Sequence, residues 1–399
     1  MGHPRDDQSF DLFAPTPEHA LLRDTLREFV AREVEPQAAA HDRAETFNLD
    51  LFRKAGEMGL LGVTLPEEYG GAGLDAVAAV QVCEALSTSD PGFALAVLAH
   101  AILFAQNVAV NGSELQRKHV LPRAASGAWV GGLCMTEPSV GTDVLSLKTT
   151  ARRDGAVYRL NGVKTFITNG GVSDTELGDC FVVYAATAPE TISSFLVEKG
   201  MAGFRLGQKW KDKLGMRASF TAELVFEDVP VPVENRMGEE GEGTLHMMRN
   251  LEIERLAIAA MSLGIAQRSL QVMVDYANER KAFGKPIVEF GQIQRYVAEN
   301  FAEWRAARSF VYDVARRIDL RGAGQRLDAD ATKLVASQMA KRAADAAIQV
   351  LGGYGYMGEY VVERLWRDAK LLEIGGGTLE AHHKNLSREL ARNPSVLRD

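Results

Sequence analysis

Residues 157–199, VYRLNGVKTFITNGGVSDTELGDCFVVYAATAPETISSFLVEK, decide the fold class of this 399-residue chain. They alternate short runs of β-branched and aromatic residues with turns rich in Gly, Asn and Asp, a pattern typical of closely spaced strands. A similar run, TAELVFEDVPVP, occupies residues 221–232, and the charged, glycine-rich GEEGEG follows at 238–243. We therefore predict a compact, barrel-like β-domain over residues 129–243.

Helical patterns lie on both sides of this β-domain. Before it, apolar residues recur at helical spacing after Pro17, and further helical stretches follow near 50–59, 75–87 and 93–110. After it, long helical patterns cover about 245–279, 292–320 and 328–351, with shorter ones near 357–373 and 379–391.

The order of helices, strands and helices differs from the strand–helix alternation of a doubly wound sheet. We predict an α+β fold with three parts. These are an all-helical N-terminal domain (1–128), a middle β-domain (129–243) and a C-terminal helical bundle (244–399).

Composition and charge exclude several classes of protein. Lys and Arg number 45 against 53 Asp and Glu, a formal net charge of −8, which argues against a general nucleic-acid binder. The three cysteines, Cys83, Cys134 and Cys180, form no CxxC pair and no disulfide framework, as is typical of a reducing compartment. The N-terminus lacks the apolar run of a signal peptide, and no stretch reaches roughly 18 unbroken apolar residues. We expect a cytoplasmic protein without a membrane span, although a matured organellar protein would show the same pattern.

The segment GYGYMG (353–358) matches the GxGxxG pattern of dinucleotide-binding proteins, which requires a preceding strand. The segment that leads into its first glycine, AKRAADAAIQVLGG (340–353), is instead Ala-rich and helical. We therefore predict a glycine-rich turn between two helices. The adjacent His382 and His383 point about 100 degrees apart on a helix and make poor joint ligands, so we predict no metal site.

Three segments together resemble the acyl-CoA dehydrogenase family over nearly the whole chain. They are CMTEPSVGTD (134–143) with LNGVKTFITNG (160–170), ERKAFGKPI (279–287), and QVLGGYGYMGEYVVERLWRDAKLLEIGGGT (349–378). The resemblance implies FAD as cofactor, an acyl-CoA substrate, a homotetramer or dimer, and an electron-transfer flavoprotein as electron acceptor. The implied reaction is α,β-dehydrogenation, in which a proton leaves C2 of the acyl chain and a hydride passes from C3 to flavin N5.

The resemblance also assigns the FAD contacts. Those in the middle domain are Met135, Thr136, Gly141, Thr142, Phe166 and Thr168. Those in the C-terminal domain, of which several meet the FAD of a neighbouring subunit, are Arg280, Phe283, Gln292, Gln349, Gly352, Gly353, Thr378 and Glu380. Thr and Gly at such positions also favour ordinary turns, so this alternative stays open for them.

The catalytic base follows from two positions of the same family pattern. Straight-chain members carry a carboxylate just before the Gly-Thr of the third segment, where this chain has Gly376. Isovaleryl-CoA dehydrogenase-like members instead carry the base in an LDLER-like segment, and LEIER (251–255) places Glu254 there. We expect Glu254 to abstract the C2 proton and the Gly376 N–H to bind the thioester oxygen. Leu251 and Ile258 lie on the Glu254 face of the helix and predict a buried carboxylate with a raised pKa.

The substrate is expected to be branched. Gly375 and Gly376 leave space that larger residues fill in many relatives, which favours an isovaleryl- or citronellyl-like acyl chain, although the glycines could simply permit a tight turn. The expected substrate contacts are Thr142, Glu252, Arg255, Gly375 and Gly377.

Three alternatives stay open. The first is the same oxidation on a thioester bound to a carrier protein. The second is a flavin monooxygenase or oxidase on this fold, against which the carboxylate at Glu254 counts. The third is a nucleic-acid-associated flavoprotein, against which the net charge of −8 counts.

Overall fold

The structure, a computed structural model, describes residues 11–322, 324 and 326–398. Its N-terminal part is helical. Polar side chains cap several of these helices by accepting a hydrogen bond from a backbone N–H of the first turn, as Thr16, Asp75 and Ser113 do. The helices are α1 (Pro17–Phe29), α2 (Glu35–Ala44), α3 (Leu49–Glu57), α4 (Ala76–Ser87), α5 (Pro91–Leu98), α6 (Asn107–Asn111) and α7 (Glu114–Ala125).

The middle part consists of strands, as the alternating pattern predicts. An eight-stranded sheet has the order β10-β7-β6-β2-β3-β9-β8, and β1 pairs in parallel with β6. Strands β4 and β5 form a separate hairpin-like pair. The strands are β1 (Gly131–Cys134), β2 (Thr150–Asp154), β3 (Val157–Thr168), β4 (Gly171–Ser173), β5 (Glu176–Leu177), β6 (Cys180–Ala188), β7 (Thr191–Glu198), β8 (Phe204–Lys209), β9 (Thr221–Pro232) and β10 (Arg236–Met237).

The C-terminal part is a bundle of long helices. A short pair of strands, β11 (Lys281–Ala282) and β12 (Lys285–Pro286), lies between its first two helices. The helices are α8 (Gly243–Glu279), α9 (Gly291–Arg317), α10 (Arg326–Leu351), α11 (Val362–Leu372) and α12 (Leu379–Arg392). The α+β architecture predicted from the sequence is confirmed.

Helix α8 is the central element of the molecule. Every residue from Asn250 to Ala266 is buried, because α8 packs against α4 of the N-terminal part and against α10 of the bundle. Small side chains on α10, such as Ala336, Ala340 and Ala343, permit close approach of the two helices. A functional group on the middle of α8 is therefore enclosed between the N-terminal part and the C-terminal bundle.

Two helical segments are long and apolar enough to cross a membrane by length and composition alone. In Pro91–Asn111 and Gly243–Glu279, however, 78% and 72% of the most apolar window is buried inside the protein. Burial of this kind is typical of core helices in globular proteins.

The structure differs from the predicted helices at two places. The helix predicted over 93–110 is divided by a π-helical segment, Ala99–Gln106, and the helix predicted over 357–373 begins only at Val362. The glycine-rich Gly352–Tyr356 forms a tight 3₁₀ turn there, after helix α10 and not after a strand. The rejection of a dinucleotide-binding turn is thus confirmed.

Candidate active site

Glu254 lies in the middle of α8 with a buried carboxylate. Glu254 is 8% exposed, and its Oε2 has no hydrogen-bond partner among the described residues. Burial raises the pKa of Glu254 to about 7, against the opposing positive charges of Arg255 and Lys333. A buried carboxylate with one oxygen free is unusual unless it serves chemistry or a ligand.

The turn at Gly375–Gly377 lies directly opposite this carboxylate. A Cβ atom built on Gly376 would be 3.6 Å from Cδ of Glu254 and 2.5 Å from Cδ1 of Ile258. Gly376 and Gly377 have φ angles of +64° and +107°, which glycine adopts without strain. Positions 254 and 376, the two at which the family resemblance places a base, thus lie side by side, and this chain has a carboxylate at position 254 only.

The N–H of Gly376 donates no hydrogen bond to any other part of the chain that the structure describes. The backbone on either side of it is fixed. The Gly375 N–H donates to the Leu371 carbonyl at 2.8 Å, and the Gly376 carbonyl accepts from Nε of Arg255 at 3.3 Å. The Gly376 N–H is therefore a free donor beside the Glu254 carboxylate, as an oxyanion site requires.

A buried polar network behind the turn escaped the sequence analysis. Arg255 Nη1 lies 2.8 Å from Oδ1 of Asp330, which also bonds Nδ1 of His382 at 2.9 Å. The Gly377 carbonyl accepts from Nζ of Lys333 at 2.5 Å and lies 3.0 Å from Nε2 of His382. Although burial opposes ionisation, the hydrogen bond with His382 and the charge of Arg255 hold the pKa of Asp330 below its ordinary value. His382, considered above only as a poor metal ligand, belongs to this network.

Glu252 does not share a site with Glu254, in agreement with their spacing of two residues on the helix. It is buried, and its Oε2 accepts a hydrogen bond from the Gly324 N–H at 3.1 Å. This contact ties α8 to the loop between α9 and α10. The expectation that Glu252 meets substrate stays a prediction.

The predicted flavin loop follows strand β1. Thr165 N–H donates to the Thr136 carbonyl at 2.9 Å, and Nζ of Lys164 bonds both the Met135 carbonyl and Oε1 of Glu137, at 3.1 and 2.8 Å. Glu137 in turn accepts from two backbone N–H groups, those of Lys148 and Thr149. This buried ion pair, which the sequence analysis missed, fixes both ends of the loop that carries Gly141 and Thr142.

Both loop residues are exposed, and a Cβ built on Gly141 would meet nothing within 4 Å. Phe166, which follows Thr165 on β3, is 61% exposed with a φ of +56°, and its ring centroid lies 5.1 Å from that of Trp210. Thr168, at the end of β3, is half-buried. An exposed aromatic ring held in a strained backbone conformation is typical of a ligand-contacting position.

A surface cavity of about 520 Å³, called here the α8–α10 cavity, lies at the junction of α8 and α10. The guanidinium of Arg280 is 5.9 Å from the centroid of the Tyr354 ring in its wall. Gly352, with φ +60°, and Gly353 face open space, since a Cβ on either would meet nothing within 4 Å. Phe283, 96% exposed, lies on the adjoining hairpin, while Gln292 and Gln349 are exposed on α9 and α10.

Thr378 and Glu380 lie at the start of α12. The Thr378 hydroxyl accepts from the Ala381 N–H at 3.2 Å and so caps this helix, and Glu380 is exposed. Their FAD contacts stay predictions.

The donors present suit FAD. An Arg beside open glycine backbone is a good match for a pyrophosphate, and the exposed Phe166 ring suits packing against a flat ring system. Most of the predicted FAD contacts lie either in the middle domain or around the α8–α10 cavity. The fold and this donor set indicate a flavoprotein.

Comparison with known proteins gives the family. The models described as acyl-CoA dehydrogenase N-terminal, middle and C-terminal domains match residues 16–128, 132–229 and 241–391. The chain is 42% identical over 385 residues to the mitochondrial isovaleryl-CoA dehydrogenase of Oryza sativa subsp. japonica, covering 95% of this chain and 92% of that protein. This chain belongs to the acyl-CoA dehydrogenase family.

Solved structures agree. Butyryl-CoA dehydrogenase from Megasphaera elsdenii matches with a TM-score of 0.90 and 35% identity, over 94% of this chain and 98% of that one. An acyl-CoA dehydrogenase complexed with FAD from Bacillus anthracis matches with a TM-score of 0.87 and 32% identity, over 95% and 67%. The protein is thus an FAD-dependent oxidoreductase. These relatives do not favour the carrier-protein or oxygen-using alternatives.

Proposed function

We propose that this enzyme dehydrogenates a branched acyl-CoA, isovaleryl- or citronellyl-like, between C2 and C3, with Glu254 as the base. The observation that carries the proposal is the pairing of positions 254 and 376. The buried carboxylate of Glu254 has a free oxygen, and the Cβ position of Gly376 lies 3.6 Å from its Cδ.

Proton removal from C2 is the role of Glu254. Burial keeps the pKa of this carboxyl at about 7, close to the pH at which an enzyme works, so it is ionised often enough to accept a proton and basic enough to hold it. The C2 proton passes to the carboxylate as the C2–H electron pair forms the new double bond. FAD, when bound, supplies the acceptor for the hydride that leaves C3.

The thioester carbonyl requires a hydrogen-bond donor, because negative charge grows on its oxygen as the proton leaves. The free N–H of Gly376 is the proposed donor. Its position depends on a turn held by buried side chains, so little reorganisation is needed during the reaction. Arg255 acts here by holding the Gly376 carbonyl, while Thr142, Gly375 and Gly377 complete the proposed substrate contacts.

The absence of side chains at Gly375 and Gly376 supports a branched substrate. A Cβ on Gly375 would make only an ordinary contact of 3.5 Å with the Leu371 carbonyl oxygen, whereas one on Gly376 would lie 2.5 Å from Cδ1 of Ile258. One methyl group in an apolar pocket changes binding by only about 1–3 kcal/mol, so we expect a preference for branched chains and not strict exclusion of straight ones.

We further propose that two copies of this chain complete each FAD site. The cavity beside Arg280, Gly352 and Gly353 adjoins the almost fully exposed Phe283, an arrangement that a second copy would cover. A homotetramer or dimer, an electron-transfer flavoprotein as acceptor and a cytoplasmic location are the corresponding proposals drawn from the family.

The substrate class is tested by anaerobic titration of the FAD-loaded protein. Isovaleryl-, citronellyl-, butyryl- and octanoyl-CoA are added, and bleaching of the flavin spectrum is followed. We expect bleaching by the branched thioesters at lower concentrations than by butyryl- or octanoyl-CoA. Bleaching by no CoA ester, from protein that holds FAD, would contradict the proposal.

A further inference from the structure

Lys333 is a fully buried lysine that no motif of the chain singles out. It lies on α10 with an exposed fraction of 0%, and its Nζ donates to the Gly377 carbonyl at 2.5 Å. Burying an ammonium group is costly, so a position that retains one requires partners of matching charge or strong acceptors. The partner here is the backbone of the turn that faces Glu254.

The turn is held at successive peptide groups. The Gly376 carbonyl accepts from Arg255, and the Gly377 carbonyl is shared by Lys333 and His382. Because peptide groups are planar, fixing these two carbonyl oxygens also fixes the orientation of the backbone between them. Of the two described side chains on the Gly377 oxygen, Lys333 is the one that carries the positive charge at neutral pH, since burial lowers the pKa of His382 below its ordinary value.

We propose that Lys333 is a positioning residue of the acyl-CoA site: its ammonium holds the Gly377 carbonyl, and with it the Gly376 turn, and its positive charge favours the ionised Glu254 carboxylate. The inference rests on the proposed function, because it requires Glu254 to act as the base and the Gly376 N–H to bind the thioester.

The charges around Lys333 and Glu254 come from several elements. Burial lowers the pKa of Lys333 to about 8, so that it is largely protonated at neutral pH, and Glu254 favours its charged form. Lys333 in turn opposes the effect of burial on Glu254. The other ionisable groups that act on either one are Arg255, Asp330, Glu373, His382 and Tyr184.

Removal of the Lys333 charge should therefore change the pKa of Glu254 in a defined direction. Without it, burial acts on Glu254 with less opposition, and the pKa of Glu254 rises. The acid limb of the pH–rate profile, in which the rate rises as Glu254 ionises, then moves to higher pH. A role in folding alone would lower the amount of active enzyme equally at every pH.

The experiment compares three substitutions at Lys333 with one control. Lys333→Met removes both the hydrogen bond and the charge, Lys333→Gln keeps an N–H donor without charge, and Lys333→Arg keeps both. Lys341→Met is the matched control, because Lys341 lies on the same helix but contacts the Trp366 ring, at 4.0 Å from its centroid, and pairs with Asp345 instead of the turn. Each FAD-loaded protein is mixed anaerobically with isovaleryl-CoA, and the bleaching rate is measured against pH.

We expect the acid limb to move up by about one pH unit in Lys333→Gln, so that the rate below the limb falls about tenfold while the rate at high pH stays near that of the wild type. Lys333→Met should show the same move together with a rate loss of about tenfold or more at every pH, because the turn is no longer held. Lys333→Arg should restore the position of the limb, and Lys341→Met should match the wild type.

Melting temperature and FAD content are measured for each variant. If Lys333→Met does not retain FAD, the Lys333→Gln profile alone decides. An unmoved acid limb in a folded Lys333→Gln variant would overturn the inference while the wild type still reacts. If the wild type itself is not bleached by any acyl-CoA, the proposed function fails first, and the two outcomes are thereby distinct.

Discussion

At the scale of single residues, Glu254 and Glu252 show how far a helical pattern can be interpreted. Both are buried, so burial alone would not tell them apart. Their spacing does, because residues two positions apart on a helix point about 200 degrees away from each other. Glu252 bonds the Gly324 N–H, whereas Glu254 faces the Gly376 turn with Ile258 beside it. The sequence predicted this division because Leu251 and Ile258 mark the Glu254 face.

The buried Glu254 carboxyl makes stability depend on pH. Its pKa in the folded protein, about 7, is higher than the ordinary 4.5, so its contribution to stability is fully present below about pH 4.5 and is lost as pH rises through about 7. We expect Glu254→Gln to be as stable as the wild type at low pH and more stable by about 3 kcal/mol above pH 7. Thermal unfolding of the FAD-loaded proteins at both pH values measures this.

Glu57→Gln, a change at an exposed glutamate of α3, is the control and should leave the pH dependence of stability unchanged. A Glu254→Gln variant that gains no stability over the wild type between low and high pH would contradict the assigned burial.

Gly376→Ala tests the space at the turn. The φ of +64° costs an L-residue roughly 1–2 kcal/mol, and the new Cβ would lie 2.5 Å from Cδ1 of Ile258, which must move. We expect a lower melting temperature than that of the wild type. We also expect KM to rise more for isovaleryl-CoA than for butyryl-CoA. Gly59→Ala, at φ +78° with nothing within 4 Å, should share the stability loss but leave both KM values unchanged. If Gly376→Ala changes the two KM values no more than Gly59→Ala does, the turn does not border the branched end of the acyl chain.

At the scale of elements, the contact between α4 and α9 depends on a buried ion pair. Glu84 on α4 accepts from Nε of Arg308 on α9 at 2.6 Å and from the Tyr312 hydroxyl. Removal of one partner leaves a buried charge unpaired, which typically costs about 3–5 kcal/mol. We expect Arg308→Met to lower the unfolding free energy by this amount in denaturant titrations.

The double variant Glu84→Gln with Arg308→Met removes both charges and should regain a large part of the loss. If the double variant is as unstable as the sum of its single changes, the ion pair does not link these helices energetically.

At the scale of the whole molecule, the order of helices and strands followed from residue patterns, because hydrophobic periodicity is a local property of the chain. The buried polar networks at the site did not follow from such patterns. Lys333 contacts a carbonyl 44 residues away and Lys164 a carboxylate 27 residues away, and neither lysine has a local signal for burial. Such partners become visible only when distant elements are packed together. The predicted FAD residues came from the family resemblance and remain tied to it.

The proposed sharing of each FAD site between two chains predicts a link between assembly and cofactor content. We expect the wild type to elute as a dimer or tetramer with about one FAD per chain, and Phe283→Asp to shift toward monomer and lose FAD, because a charge would enter the covered surface. Light scattering with absorbance at the flavin band measures both. Leu115→Asp, at a leucine 79% exposed on α7, is the matched control and should change neither. A Phe283→Asp variant that stays assembled with full FAD would disprove the shared site.

The central claim is that Glu254 is the base. The most direct measurement is the rate of flavin bleaching by isovaleryl-CoA, for the wild type and Glu254→Gln, from about pH 5 to about pH 9. We predict that the wild-type kcat/KM rises with pH and levels off above about pH 7, and that Glu254→Gln, still holding FAD, is slower by roughly 100- to 10,000-fold. A Glu254→Gln variant that bleaches as fast as the wild type would contradict the claim.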